Sequence, residues 1–394
     1  MKRFKRMFHA GLALLIATAL WLPCVHLLFA RHEPPRPSSA GISPEARVLA
    51  ARHLELWTDP QLKRHELDRM RRSNAEWDFM GRTFLVWSLA EMSLREPAQQ
   101  AEHLAVMDEI IDETTRLEAE NGACFFLMPY AKERAYLQQP PRSIFLDGEI
   151  ALMLAVRRVV AEKPAYRTQL EARVEVMLDR MKRSTTLVAE SYPDECWLFD
   201  NVLALAAIRI ADHLDGTDHS AFVREWLDIA RAKLIHPGTG LLVSSFTTEG
   251  EHLDGPEGSS IWMTAHLLRL LDGEFARDQY RRARKELRRE WMGFAWSREW
   301  PRSWKGPMDV DSGMVIPVLE VSAGGSGLAF VGAASFGDSE YLGQLQTTLD
   351  FAAFPVERKG RRHYCASNQV GDAVLLYSLV QGPLWERARA EGSP

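Results

Sequence analysis

The chain has 394 residues, 46% of them hydrophobic and 26% charged, with a net charge of −5. That length can bury a sizeable core as one large or two ordinary domains. The mild acidity gives no global case for a nucleic-acid partner, and four cysteines without a CxxC or a Cys/His cluster at zinc spacing argue against a structural metal.

At the N-terminus, Lys2, Arg3, Lys5 and Arg6 precede an apolar run over 11–30 that only Pro23 and His26 interrupt. A helix of that length spans a bilayer, and a long secretory signal has the same form. Leu28-Phe29-Ala30 is a poor cleavage site, and no lipobox precedes Cys24. Residues 1–30 are therefore expected to be a signal anchor, with a cleaved signal peptide as the alternative. The positive flank places that end in the cytoplasm and the rest across the membrane. The main domain is then expected in the periplasm or outside the cell, held to the membrane through this segment, or soluble there if the signal is cleaved. The Pro- and Ser-rich stretch 31–43 reads as a tether. Of the exported Cys124, Cys196 and Cys365, two can pair and one must stay free, but no disulfide is required.

Helix signals then follow one another. Ser43-Pro44-Glu45 and Asp59-Pro60 each put a capping side chain before a proline at the first helical position. Apolar residues recur at helical spacing over 84–92, 103–117, 150–160, 170–181, 202–214, 222–234, 262–271, 275–292, 328–336, 342–351 and 373–380. The basic stretch 277–289 contains Asp278 and Glu286 and reads as a solvated helix face. Only 241–246 and 315–321 carry strand signals. About a dozen helices joined by alternately short and long connections predict an all-α (α/α)6 barrel over 44–394. A solenoid is the competing arrangement, but no fixed sequence period is present.

Three regions concentrate polar chemistry. In 191–220 the turn Tyr192-Pro193-Asp194-Glu195 leads into an apolar helix, so Asp194, Glu195 and Asp200 stand at or before a helix N-terminus, where negative charge is favoured. Simple N-capping explains the same pattern. In 252–262, His252, Asp254 and Glu257 lie in a Gly-Pro turn before Ser259, Ser260 and Trp262, and His266 on the next helix suits a packed, satisfied histidine. In 300–313, Trp300 and Trp304 suit an apolar or sugar-binding wall. Asp309 and Asp311 there resemble the start of a calcium loop whose closing ligands are missing. Tyr364, Asn368 and Asp372 are candidates for the last wall of a pocket. No G-x-S-x-G, P-loop or dinucleotide fingerprint occurs, so no cofactor is expected.

Cys196-Trp-Leu-Phe-Asp-Asn-Val is followed by Leu214-Asp-Gly-Thr-Asp, Trp226-Leu-Asp and Leu234-Ile-His-Pro. Trp77-Asp78-Phe79 and Gly148-Glu149 precede them, and Asp309-Val-Asp-Ser-Gly, Phe336-Gly-Asp338 and Arg362-His-Tyr364 come after. In this order the motifs resemble the linalool dehydratase-isomerase family over about residues 70 to 385. The resemblance implies an (α/α)6 barrel and exported bacterial relatives. It places Asp78 on a family catalytic aspartate. Phe84 stands at a family tyrosine, Glu149 at a histidine, and Ser191 and Asp200 at a pair of cysteines. One of those five positions is kept, which implies a pocket rebuilt with carboxylates.

The expected function is a cofactor-free lyase or isomerase acting on a small, isoprenoid-like alcohol. Asp78 and Glu149 would exchange protons with the substrate and Asp200 would assist, because converging carboxylates push one another's proton affinity apart. An ion pair with Arg82, one helical turn on, is the alternative role for Asp78. Ser191, Cys196, Trp262, Asp309, Asp311 and Tyr364 are the expected substrate contacts. The alternatives are a carbohydrate-active hydrolase or polysaccharide lyase, which also uses paired carboxylates, and a non-catalytic membrane-tethered binding protein. A homo-oligomer is compatible with any of these.

Overall fold

Residues 2–31, 41–308 and 313–389 are described by the structure, a computed structural model. It is mostly helical, with a few small sheets. Helix α1 (Lys2–Trp21) is exposed along its whole length and runs on as a 3-10 stretch, Leu22–Leu28, in which no residue is buried and Val25 and His26 are partly covered. Among the described residues it is the helix long and apolar enough to cross a membrane, a form shared by anchors and signal sequences.

The capped starts form as the sequence predicts. Ser43 accepts from the Ala46 amide to open α2 (Pro44–Thr58). Asp59 caps α3 (Pro60–Ser73), and Asn74 caps α4 (Ala75–Arg95). The chain continues with α5 (Gln100–Asn121), α6 (Ile144–Val160), α7 (Pro164–Met181), α8 (Leu198–Asp215) and α9 (Ser220–Lys233). It ends with α10 (Gly258–Leu268), α11 (Gly273–Leu287), α12 (Ala323–Ser335), α13 (Ser339–Ala352), α14 (Gln369–Val380) and α15 (Pro383–Arg389).

Two kinds of helix alternate. In α4, α6, α8 and α10 nearly every residue is buried, as expected for helices apolar all round. In α11 only one stripe is buried, including Phe275, Gln279, Tyr280, Ala283 and Leu287, while its arginines stay at the surface. The buried helices pack in the order α4, α6, α8, α10, α12, α14, and α14 returns against α4. Small residues permit the close approach. A Cβ on Gly148 of α6 would sit 3.3 Å from Ala204 and Leu203 of α8.

Connections leaving a buried helix are short: 96–99, 161–163, 216–219, 269–272 and 336–338. Those entering the next are mostly long: 122–143, 182–197, 234–257, 288–322 and 353–368. The small sheets lie in the long ones. Here the helix expected over 275–292 is corrected: it stops at Leu287, and Arg288–Trp291 pairs with Phe294–Ser297. Its turn residues Met292 and Gly293 both have positive φ, the geometry that matches strand twist in a two-residue hairpin. The same device, Lys359-Gly360, joins Pro355–Arg358 to Arg361–Tyr364. Of 241–246 only Ser245–Phe246 is strand, and 315–321 becomes a short hairpin, Val315–Ile316 with Val321–Ser322.

Candidate active site

A cavity of about 640 Å³ opens at the end of the ring where the buried helices begin. Each contributes residues from its first turns: Glu76, Trp77 and Met80 from α4, Phe145 from α6, Phe199 and Asp200 from α8, Ser259 and Ser260 from α10. Ala323, Gly324, Ser326 and Gly327 come from α12, and Val370 to Asp372 from α14. Six helix N-termini therefore face one space, and each carries a partial positive charge. Acidic side chains answer them in the first turns of three helices: Glu76, Asp200 and Asp372. Tyr130, Tyr192, Trp197 and Trp296 add aromatic walls, and Met314, Ile316, Val321 and Leu349 add aliphatic ones.

Asp200 is buried at the start of α8. Burial raises its carboxyl to about 8; a hydrogen bond from Ser191 opposes that, and the charges of Glu76 and Glu195 add to it. Ser191 is thus a support behind Asp200 rather than a wall residue. Its hydroxyl also accepts from the Trp197 amide at 3.1 Å. Glu149 is buried on α6 and accepts from Thr83 Oγ1 at 2.6 Å. Burial pushes its carboxyl well above the usual range against that hydrogen bond, and Asp200 and Glu76 raise it further. Glu149 lies behind the cavity surface, not on it.

Glu76 is the residue that the motif reading passes over. Tyr192 donates its phenol to Glu76 and accepts from the Met128 amide at 2.9 Å. The Tyr192-Pro193-Asp194-Glu195 turn that places this phenol closes through Glu195 N to Tyr192 O at 3.0 Å, with Asp194 in the left-handed region. Tyr130 stacks on Tyr192, with ring centroids 4.4 Å apart. Helical spacing held the clue to Glu76, since 76, 80 and 83 fall on one face of α4. Asp78 falls on another.

Asp78 is accordingly corrected as a cavity residue. Its side chain is fully buried between Arg71 Nη2 at 2.7 Å and Arg82 Nε at 3.0 Å. Arg82 continues to Glu113 at 3.1 Å. The ion pair one helical turn along is formed, and the carboxylate is spent on it.

Two expected substrate contacts are also corrected. Cys196 is a fully buried strand residue opposite Phe246, facing the core because neighbouring strand residues alternate sides and Trp197 takes the cavity. Burial raises its thiol well above the usual range. Trp262 is buried with its indole N–H on Ser297 Oγ at 2.8 Å, packed on Tyr280 and Tyr341. Tyr364 lines the cavity together with Asn368 and Asp372, whose carboxyl burial raises to about 7. Asp309 and Asp311 lie outside the described residues. Trp300 and Trp304 stack on each other, centroids 5.8 Å apart, and neither lines the cavity. His266 is satisfied by Ser335, Tyr377 and Trp385 deep in the ring. All four cysteines are free. Among the described residues no group of three or more His, Cys, Asp or Glu is placed to hold a metal ion.

Residues 148–370, more than half of the chain, match the family model of linalool dehydratase/isomerase. The chain belongs to that family. The matched span of this linalool dehydratase/isomerase family member runs from Gly148 on α6 through Asp200 to the start of α14, leaving Glu76 outside it. No curated protein matches the chain. Among solved structures it is similar to a GH76 alpha-mannanase of Bacteroides thetaiotaomicron, at 9% identity and a TM-score of 0.47, over 78% of this chain and 86% of that one. It is also similar to a polysaccharide lyase at 12% identity and a TM-score of 0.37, over 81% and 93%.

Proposed function

We propose that the chain is an (α/α)6-barrel enzyme, a cofactor-free lyase or isomerase, that eliminates or moves the hydroxyl of an apolar allylic alcohol. The observation that carries this reading is Asp200: a carboxyl raised to about 8 lines an apolar, aromatic cavity that a second carboxyl, Glu76, also lines, and Glu76 takes a phenol hydrogen bond. Near neutral pH Asp200 holds a proton to give, and the phenol donor suits an ionised Glu76.

In dehydration, Asp200 protonates the substrate hydroxyl, and the C–O bond breaks to release water. The allylic cation that remains is delocalised, and the faces of Trp77, Tyr130 and Trp197 favour it. Glu76 then takes a proton from the adjacent carbon to give the diene, and the proton returns to Asp200 through solvent. Isomerisation replaces that last step with return of water to the other end of the allyl unit, and the proton that the added water sheds goes back to the Asp200 carboxylate. Glu149, neutral through burial, keeps a second negative charge away from Asp200. Of the three carboxylates first expected to meet the substrate, Asp200 keeps a proton-transfer role, Glu149 acts from behind the wall instead of on the substrate, and Glu76 takes the place of Asp78.

The space of about 640 Å³ is room for about twenty water- or methylene-sized groups, more than a short-chain alcohol fills. A glycan would need polar groups along most of the walls, whereas 21 of the lining residues are Phe, Met, Leu, Ile, Val, Ala or Trp against 12 with polar side chains. We read residues 2–28 as an anchor that holds the domain outside the cytoplasm. The test is turnover of linear allylic isoprenoid alcohols of increasing length by the full chain. Glu76→Gln and Asp200→Asn should each lower kcat at least a hundredfold, the scale of general acid–base catalysis, with an unchanged circular dichroism spectrum. Turnover of a glycan and of no alcohol would replace the reading.

A further inference from the structure

The base of the N-terminal helix is fastened to the two elements that also form the cavity wall. Phe29 packs edge-on against Phe351 of α13, centroids 5.2 Å apart, and Phe351 packs on Phe294 of the 288–297 hairpin at 5.1 Å. Arg31 holds Asp350 with two bonds, 2.8 and 2.9 Å, and pairs with Glu45. His26 lies so close to the hairpin turn that a Cβ on Gly293 would stand 2.3 Å from its ring. On their other faces the same elements give Leu345, Thr348, Leu349 and Trp296 to the cavity.

Beside this junction the cavity rim is apolar and bare. Met314 is 82% exposed and Val318 88%, with Ile316 and Leu319 also exposed. Met314 and Ile316 line the opening itself. Val318 holds a φ of 71°, an outlier for a β-branched side chain. The segment is tied back by Trp296 Nε1 to Leu319 O at 2.9 Å. Exposed Trp291 on the hairpin and half-exposed Phe351 extend the surface to the anchor. Glu320, the acidic residue next to the rim among the described residues, is paired with Arg289 and Arg298. Water-facing surfaces rarely keep such a patch, whereas an aliphatic loop with a tryptophan at its edge suits the interfacial layer of a membrane.

We propose that the 314–319 rim, with Trp291 and Phe351, rests in the bilayer that receives α1, so that the cavity opens onto lipid and takes its alcohol from the membrane rather than from water. The occupant is the bilayer because Phe351 belongs both to the patch and to the seat of the anchor. The inference rests on the anchor reading above and deepens the proposed substrate class to a membrane-dissolved one.

The experiment uses the full chain with Cys24, Cys124 and Cys365 replaced by serine. An environment-sensitive fluorophore is placed on Val318→Cys, or on Ile316→Cys should the first variant fold poorly. Asp218→Cys, exposed in a short connection away from the cavity end, is the control. The protein is reconstituted in phosphatidylethanolamine/phosphatidylglycerol vesicles with and without spin-labelled phosphatidylcholine. At least twofold quenching at 318 with none at 218 is the expected result. Equal, weak quenching at both sites in protein whose intact mass retains residues 1–30 overturns the inference while leaving the alcohol reading untouched. Label protection that rises with protein concentration and accompanies a cross-linked dimer assigns the patch to a second copy, and also overturns it. Quenching at 318 in protein that turns over no alcohol supports the membrane-facing mouth and removes only the chemistry.

Discussion

Asp78 and Glu76 sit two residues apart in the first turn of one helix and do opposite jobs. Asp78 neutralises Arg82, whose guanidinium is almost fully buried. Asp78→Asn leaves the buried Arg82 guanidinium with Glu113 as its remaining carboxylate partner, so it should cost about 3 kcal/mol in chemical unfolding, the lower end for a broken buried pair. Glu76→Gln should change stability far less, because it keeps a hydrogen-bonding carbonyl for Tyr192. A stable Asp78→Asn variant without activity would instead return Asp78 to the chemistry. Asp200 carries a pH signature. Its folded carboxyl, raised by burial to about 8 from an ordinary 3.8, holds a proton that the unfolded chain has already released above about pH 4. The folded state therefore binds more protons across that window, and stability falls as pH rises from about 4 to about 8. Asp200→Asn should flatten that slope in unfolding curves taken across the window and gain a few kcal/mol at the alkaline end. Activity that depends on a protonated Asp200 should decline above about pH 8.

At the scale of elements, caps and periodicity were readable in the chain. Ser43, Asp59 and Asn74 each cap the helix they precede, and all eleven periodic segments lie on helices along most of their length. What periodicity missed is the hairpin after Leu287, because Arg288 to Trp291 continues a charged helical pattern up to the Met-Gly turn. The site was half legible. Asp200 stood out as a carboxylate beginning an apolar helix. Glu76 did not, because motif order drew attention to Asp78, and the phase that separates them appears only when positions 76, 80 and 83 are set on one face. Close packing at the helix starts is a further element-scale feature that hydropathy does not show. A Cβ on Gly258 of α10 would meet the Arg298 carbonyl at 2.2 Å and Ser297 Oγ at 3.0 Å. Backbone cannot yield as a flexible side chain does, so Gly258→Ala should cost about 1–3 kcal/mol and lower the melting temperature accordingly. An unchanged melting temperature would show that the 297–299 segment moves freely.

For the molecule as a whole, the N-terminal segment decides where the cavity works. Cell fractions washed with alkaline carbonate should keep the full-length chain in the membrane pellet. A soluble product beginning near Arg31 would identify a cleaved signal and leave the fold as it is. The alternation of short and long connections has a consequence of another kind. Chain that enters the ring has room for turns, hairpins and new side chains, and four of its five long segments give residues to the cavity. Chain that leaves the ring is pinned into four-residue links or shorter above a sealed floor, where His266, Tyr377 and Trp385 interlock and Glu91 accepts from the Gly382 and Leu384 amides. Drift among descendants of this chain is thus channelled to one side: insertions and exchanges of reactive groups accumulate at the open rim, while the floor holds still and hands the same vessel on to a different chemistry.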